Sequence, residues 1–194
     1  GHRLALAKGT CKVARSDNRA AIIPTKALQL LLRLLHDPDG TVKVKIAENR
    51  ALISTGDAVL TSNLVEGNFP PFRDVIPKDG DKKATVSTDV MASAVRRAAL
   101  LTNEESKGVS LSLDSDGLTL TSRAPEMGEA QIKVDLAAYE GEPISVGFNP
   151  HYILDALKVA PSDQIILDMK APNKPGILRS GSDFLYVIMP VSLE

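Results

Sequence analysis

One pattern recurs three times along these 194 residues: a short apolar strand, an amphipathic helix with a capped start, then alternating strands. The first copy predicts a strand at Ala20–Pro24, a helix over Thr25–His36, and strands at Val42–Ile46, Ala51–Ser54 and Ala58–Ser62. The second predicts Ala84–Val86, a helix from about Asp89 to Leu101, then Val109–Leu113, Leu118–Thr121 and Ala130–Leu136. The third predicts Ile144–Val146, a helix over Asn149–Ala160, then Gln164–Met169, Ile177–Arg179 and Phe184–Met189. A period of roughly 60 residues is too long for a short solenoid module and marks a repeated supersecondary unit. Such a duplication favours a pseudo-symmetric body with equivalent faces.

The helices follow from spacing. Leu28, Leu31, Leu32 and Leu35 recur at i, i+3, i+4 and i+7, which predicts an apolar stripe lying on a sheet. In the second helix Val90, Ala94, Ala98 and Leu101 trace the expected buried line, and Arg96 and Arg97 fall off it. The third opens on Asn149-Pro150, an N-cap followed by the residue whose missing N–H is harmless there. Ile153, Leu154 and Leu157 form its expected inner face. Among the strands, Val109, Leu111 and Leu113 alternate with Ser110 and Ser112, the signature of antiparallel sheet with one buried face. Asp37-Pro-Asp-Gly40 and Asp114-Ser-Asp-Gly117 carry turn chemistry between strands. The fold class is α+β.

Composition narrows the function classes. The chain is 43% hydrophobic, enough for a sizeable core in one or two domains, and with 4% aromatic residues and no Trp that core is aliphatic. No apolar run approaches a membrane span and no charged-then-apolar leader is present, so the expectation is a cytoplasmic protein with no membrane partner. The single cysteine, Cys11, excludes an internal disulfide framework and fits a reducing compartment. A net charge of −1 argues against tight electrostatic gripping of nucleic acid. The cations are unevenly placed, however: Lys26, Arg33, Arg96, Arg97 and Lys158 all fall on the three predicted helices, on or near their non-core sides.

Catalytic chemistry finds little support. His2, His36 and His151 are far apart and have no HxxxH or CxxC partner, so no metal site is expected. No phosphate-cradling GxxxxGK[ST] loop and no GxGxxG fingerprint occurs. Asp114-x-Asp116-Gly117 resembles the opening of a calcium loop, but the later ligands are missing and a hairpin turn is the better reading. No catalytic residue and no cofactor is expected. A small hydrolase on a duplicated fold would need a convergent polar constellation that this spacing does not assemble.

Five segments in register carry a resemblance across the whole chain. Gly1-His-Arg-Leu-Ala5, Asn63-Leu-Val-Glu-Gly-Asn-Phe-Pro70, Arg97-Ala-Ala-Leu-Leu-Thr-Asn-Glu104, Gly147-Phe-Asn149 with Tyr152-Ile-Leu-Asp-Ala-Leu157, and Tyr186-Val-Ile-Met-Pro190 resemble the bacterial sliding clamp family, the β subunit of DNA polymerase III. The resemblance implies a clamp fold of repeated β-α-β-β-β units, with antiparallel sheets outside and helices lining a central hole. It implies that residues 1–72 are the C-terminal half of the middle clamp domain and 73–194 the complete C-terminal domain. The chain is therefore expected to be a fragment, about the later half of a subunit, unable by itself to close a ring.

The function implied is that of a processivity factor. Full-length subunits of the family join head to tail as a homodimer around double-stranded DNA and hold it without sequence specificity. Lys26, Arg33, Arg96, Arg97 and Lys158 are the candidates for the DNA-facing lumen, and Leu100 and Leu101 for the subunit interface. The polymerase catalytic subunit, the clamp loader, other polymerases and mismatch-repair proteins would dock Gln-Leu-x-Leu-Phe-like peptides in a groove. That groove would use His2, Arg3, Leu4, Pro70, Val75, Asn149, Tyr152, Pro175, Val187, Ile188, Met189, Pro190, Val191 and Leu193. Val187 and Met189 also read as strand packing and Asn149 as a helix cap, roles that coexist with groove lining. Asp74 stands where relatives often carry a basic residue, and Ser192 replaces a frequent penultimate Arg, so partner electrostatics would differ. The alternative is an interaction scaffold that does not encircle DNA.

Overall fold

The computed structural model describes residues 1–13, 20–102, 108–125 and 127–193. In chain order the elements are β1 (Arg3–Ala7), α1 (Thr25–Leu34), β2 (Val42–Ile46), β3 (Arg50–Thr55), β4 (Ala58–Asn63), α2 (Phe72–Val75), β5 (Lys82–Ser87) and α3 (Thr88–Ala99). They continue with β6 (Val109–Asp114), β7 (Gly117–Ala124), β8 (Gly128–Val134), β9 (Ala138–Glu140), β10 (Ile144–Phe148), α4 (Pro150–Leu157), β11 (Gln164–Met169), β12 (Gly176–Ser180) and β13 (Phe184–Ile188). Two compact units result, one of Gly1–Thr10 with Arg73–Glu194, the other of Cys11–Phe72. An expected division near residue 72 follows the linear chain. The compact units follow strand pairing, because β1 is hydrogen-bonded to β13 from Arg3↔Ile188 to Ala7↔Phe184.

In the larger unit the second and third repeats exchange their leading strands. β5 does not join β6–β8; it pairs with β11 in a six-stranded sheet ordered β1-β13-β12-β11-β5-β9. β10 reciprocates by pairing with β6 in the four-stranded sheet β10-β6-β7-β8. Each repeat thus completes its neighbour's sheet. All pairings are antiparallel, and the alternation predicted for Val109, Leu111 and Leu113 places these residues in one core, fully buried with Met91, Val95, Leu120, Phe148, Ile153 and Ile165. Helices α3 and α4 pack against each other and bury Ala94, Ala98 and Ala156 completely in this shared core, where small side chains allow close approach. Buried hydroxyls there are satisfied: Ser122 Oγ donates to the Ala98 carbonyl at 2.7 Å and Thr88 Oγ1 to that of Ser162 at 2.8 Å.

Three sequence expectations need correction. Residues 20–24 form no strand; Val65 N–H donates to the Ile22 carbonyl, but Pro24 has no N–H to extend a ladder. On α1 the covered line is Ala27, Leu31 and Leu34, whereas Leu28, Leu32 and Leu35 are exposed, Leu32 by 72%. This helix is apolar over more than one face, so periodicity alone does not choose the face that β4 covers. On α3 the buried line is Met91, Ala94, Val95 and Ala98; Val90 is exposed and Leu101 only half-buried. The buried i, i+3, i+4, i+7 stripe thus keeps Ala94 and Ala98 of the expected line and has Met91 and Val95 in place of Val90 and Leu101. The turns do follow their chemistry: Asp116 N–H donates to Asp114 Oδ1 at 2.8 Å, and Gly117 takes a φ of 137°, open to glycine.

A charged brace seats the chain entering β5 on the end of β11. Asp81 N–H donates to the Met169 carbonyl, and the Asp81 carboxylate accepts from Lys82 Nζ and Lys170 Nζ, each at 2.7 Å. Beside it a Cβ on Gly80 would lie 1.7 Å from Asp168 Oδ1, so only glycine fits. The hydrogen bond from Lys170, then that from Lys82, hold the Asp81 carboxyl down at about 2. A carboxyl depressed on folding stabilises above its unfolded pKa of about 3.9 and loses that contribution as pH falls through its folded value. We therefore expect wild type to resist urea better than Asp81→Asn at neutral pH, with the gap between midpoints closing from about pH 4 to pH 2. A gap that persists below pH 2 would place its origin elsewhere.

Candidate peptide-binding groove and basic helix faces

The β1–β13 register sorts the groove candidates onto two faces of one sheet. Leu4 opposes Val187 and Leu6 opposes Leu185; together with Ile177 and Ile76 they form a small apolar cluster on the face away from the main core. Ile188, a neighbour of Val187 in sequence, points the other way and is buried in the main core. It backs the site and does not line it. At the end of the strands, Met189 N–H donates to the His2 carbonyl at 2.9 Å, and Pro175 immediately precedes Gly176, which is paired with Ile188. His2, Met189 and Pro175 therefore gather at one strand end. Val75, Met189 and Leu193 are exposed apolar residues, and Pro175, Pro190 and Val191 are half-buried. Pro70, exposed, belongs to the other compact unit.

The C-terminal segment is led to the same end by a glycine. Val191 N–H donates to the Gly147 carbonyl at 2.9 Å, and a Cβ on Gly147 would fall 2.6 Å from Leu193 Cγ and from the Val191 carbonyl oxygen. Any side chain there would displace Val191 and Leu193. Two residues on, Asn149 caps α4 by accepting from His151 N–H at 2.9 Å, which places Tyr152 in the helix's first turn. Asn149 and Tyr152 are half-buried, positioned by backbone and still open to a ligand.

Behind Tyr152 lies an arrangement that sequence spacing did not expose. Arg3 Nη1 donates to Asp155 Oδ2 in an ion pair, and lies 3.5 Å from Tyr186 Oη. The same guanidinium sits over the Tyr152 ring, with Cζ 4.4 Å from its centroid. Burial raises the Tyr186 phenol, and the hydrogen bond from Arg3 opposes that rise. Asp155, Tyr186 and Gly147, which position the candidate residues, were not singled out from the sequence, although each lies inside a segment that carried the family resemblance. A glycine in a strand interior was the available signal for Gly147, since it marks close backbone approach.

The basic candidates are all exposed: Lys26 and Arg33 on α1, Arg96 and Arg97 in the last turn of α3, and Lys158 at the C-cap of α4. Among the described residues none of the five forms an ion pair. Four of them, Arg33, Arg96, Arg97 and Lys158, sit at helix C-termini, where the macrodipole favours a cation. At the end of α3, Leu100 is 73% exposed and Leu101 half-buried. No group of three His, Cys, Asp or Glu among the described residues is arranged to hold a metal ion. The open cleft of about 970 Å³ in the smaller unit is lined by the polar residues Glu48, Asn49, Arg50, Asn63, Glu66 and Asn68 and by apolar neighbours, without Ser, Thr, Cys, His or Lys. No helix among the described residues is long and apolar enough to cross a membrane.

Comparison with known proteins bears on this geometry. A sequence-family model described as DNA polymerase III beta subunit, C-terminal domain, matches residues 73–192, and one described as DNA polymerase III beta subunit, central domain, matches residues 1–71. The Beta sliding clamp of Pseudomonas putida is 35% identical over 195 residues, covering all of this chain and 53% of that protein. The Beta sliding clamp of Escherichia coli is 32% identical over 196 residues, with the same coverage. The crystal structure of the DNA polymerase III subunit beta from Pseudomonas aeruginosa superposes with a TM-score of 0.91 at 32% identity, over 100% of this chain and 53% of that one. The chain spans about half the length of the curated relatives it matches.

Proposed function

Because this chain belongs to the family of DNA polymerase III β subunits, the β sliding clamps, we propose that it acts as the later half of a clamp subunit. In this reading residues 1–72 contribute to the middle domain and 73–194 form the C-terminal domain. The assembled subunits make a head-to-tail homodimer in the cytoplasm, encircle duplex DNA and tether polymerases, the clamp loader and repair proteins. The protein carries out no chemistry of its own and needs no cofactor. What supports the reading most is a likeness to a solved β subunit that extends over the whole chain with a TM-score of 0.91.

The surfaces described above suit these roles. Lys26, Arg33, Arg96, Arg97 and Lys158, exposed and forming no ion pair among the described residues, would attract phosphates without reading bases, and weakly enough to allow sliding. Near-neutral net charge agrees, since a topological link needs little affinity. An apolar strand-end groove with an adaptable Met accepts extended peptides of related sequence. Leu100, exposed at the end of α3, is suited to a subunit contact, with Leu101 beside it.

Retention on circular DNA tests the reading. A full-length subunit containing this sequence, loaded onto a nicked plasmid, should remain bound through gel filtration and be released when the plasmid is cut once. Equal retention on circular and linear DNA would reject encirclement, and a loss from both would favour a scaffold that does not hold DNA.

A further inference from the structure

We propose that Arg3 is a positioning residue for the groove: it fixes the ring of Tyr152 as a preformed wall, and its own charge, engaged by Asp155, does not read the charge of the bound peptide. The inference rests on the groove reading above and adds to it the origin of the wall's rigidity and the class of peptide it accepts.

The argument begins with what holds each partner. Arg3 lies on β1, whose register is pinned by pairing with β13 along its whole length. Tyr152 and Asp155 lie three residues apart on α4, a spacing that puts them on neighbouring positions of one helix face. Arg3 bridges from the strand to that face: its guanidinium stacks over the Tyr152 ring at 4.4 Å while Nη1 pairs with the Asp155 carboxylate. Tyr186, from β13, approaches the same nitrogen from the core side at 3.5 Å.

Only a planar, multiply donating cation satisfies these contacts together. A guanidinium can stack flat on a ring and pair with a carboxylate at once, whereas a lysine ammonium can pair but cannot stack as a plane. One face of the half-buried Tyr152 ring is thereby covered and the side chain is held before any peptide arrives. A wall fixed in advance loses less conformational entropy on binding. Because the carboxylate of Asp155 already compensates Arg3, the wall offers a peptide no free positive charge, so uncharged peptides should bind as well as acidic ones.

Calorimetric titration with two synthetic pentapeptides, Gln-Leu-Ser-Leu-Phe and Gln-Leu-Asp-Leu-Phe, distinguishes positioning from charge recognition. Arg3→Ala should weaken both peptides by the same factor, about tenfold. Arg3→Lys should recover only part of that loss, and it keeps the test valid should the alanine variant fold poorly. On a Tyr152→Ala background, adding Arg3→Ala should change affinity less than about twofold, because the wall it positions is gone. Asp155→Asn should release the cation and turn the groove toward the acidic peptide, by about threefold and less at high salt. A loss on Arg3→Ala confined to the acidic peptide, or full additivity with Tyr152→Ala, would overturn the proposal. If Tyr152→Ala weakens both peptides while Arg3→Ala affects neither, the groove stands and this inference falls. If Tyr152→Ala itself is without effect, the groove reading falls and takes the inference with it.

Discussion

Replacing Tyr152 by Ala in a chain that ends after Met189 is expected to abolish binding of a Gln-Leu-x-Leu-Phe peptide, a loss of at least about a hundredfold in affinity. The two changes act on separate parts of one strand-end site. Tyr152 projects from the first turn of α4, beside the cap at Asn149. The removed residues include Val191, whose N–H holds the C-terminal segment on Gly147, and Leu193, which packs above that glycine. Tyr152 packs on the margin of the main core, so its removal should also lower the melting temperature, and affinity is compared in a variant that circular dichroism shows to be folded. Fluorescence anisotropy of a labelled peptide measures the outcome. Unchanged affinity in a folded double variant would show that the site has been placed wrongly.

Charge reversal on the helices should produce the second large effect. In a full-length subunit, Lys26→Glu, Arg96→Glu and Lys158→Glu together should slow loading onto DNA and shorten retention by more than tenfold at low salt. All three residues are exposed and, among the described residues, form no ion pair, so their charge is available to phosphates. Screening over a Debye length of about 8 Å at physiological ionic strength should shrink the deficit as salt rises. The loss should be the same for any base sequence, because contacts to phosphate carry no sequence information. Peptide affinity should be unaffected, since the proposed groove lies elsewhere and is lined mainly by apolar residues. A deficit that varies with base sequence would imply readout in a groove of the duplex and would contradict sliding.

The particular residues show where sequence reading succeeded and where it met a limit. Asn149-Pro150 was legible as a helix start because capping is a local event, decided by one side chain, a proline that needs no partner and the N–H of His151 two residues on. Val109, Leu111 and Leu113 were legible as a buried face because pleating imposes a period of two whatever the partner strand. Leu28, Leu32 and Leu35 were misjudged for a corresponding reason. On α1 two adjacent stripes are apolar, and the choice between them depends on the sheet it meets, not on its own period. Within the candidate site, Tyr152, Met189 and Asn149 were reached through the resemblance, while the ion pair of Arg3 with Asp155 spans 152 positions and leaves no periodic trace.

By itself the sequence determined the β-α-β-β-β order of the second and third repeats, the helix and three strands of the first, the α+β class, the turns at Asp37–Gly40 and Asp114–Gly117, and the family. These depend on propensities and patterns that act within a few residues, and on motifs whose order survives in one dimension. Tertiary structure alone decided that β5 would pair with β11 and β10 with β6, that β1 would join β13, and that Gly147 would lie beneath Val191 and Leu193. An alternating strand specifies which of its faces is apolar, but any edge of suitable register can satisfy its backbone. The partner is selected only when distant segments pack around a common core, and that packing brings the candidate groove residues of β1, β13, α4 and the C-terminal segment to one place.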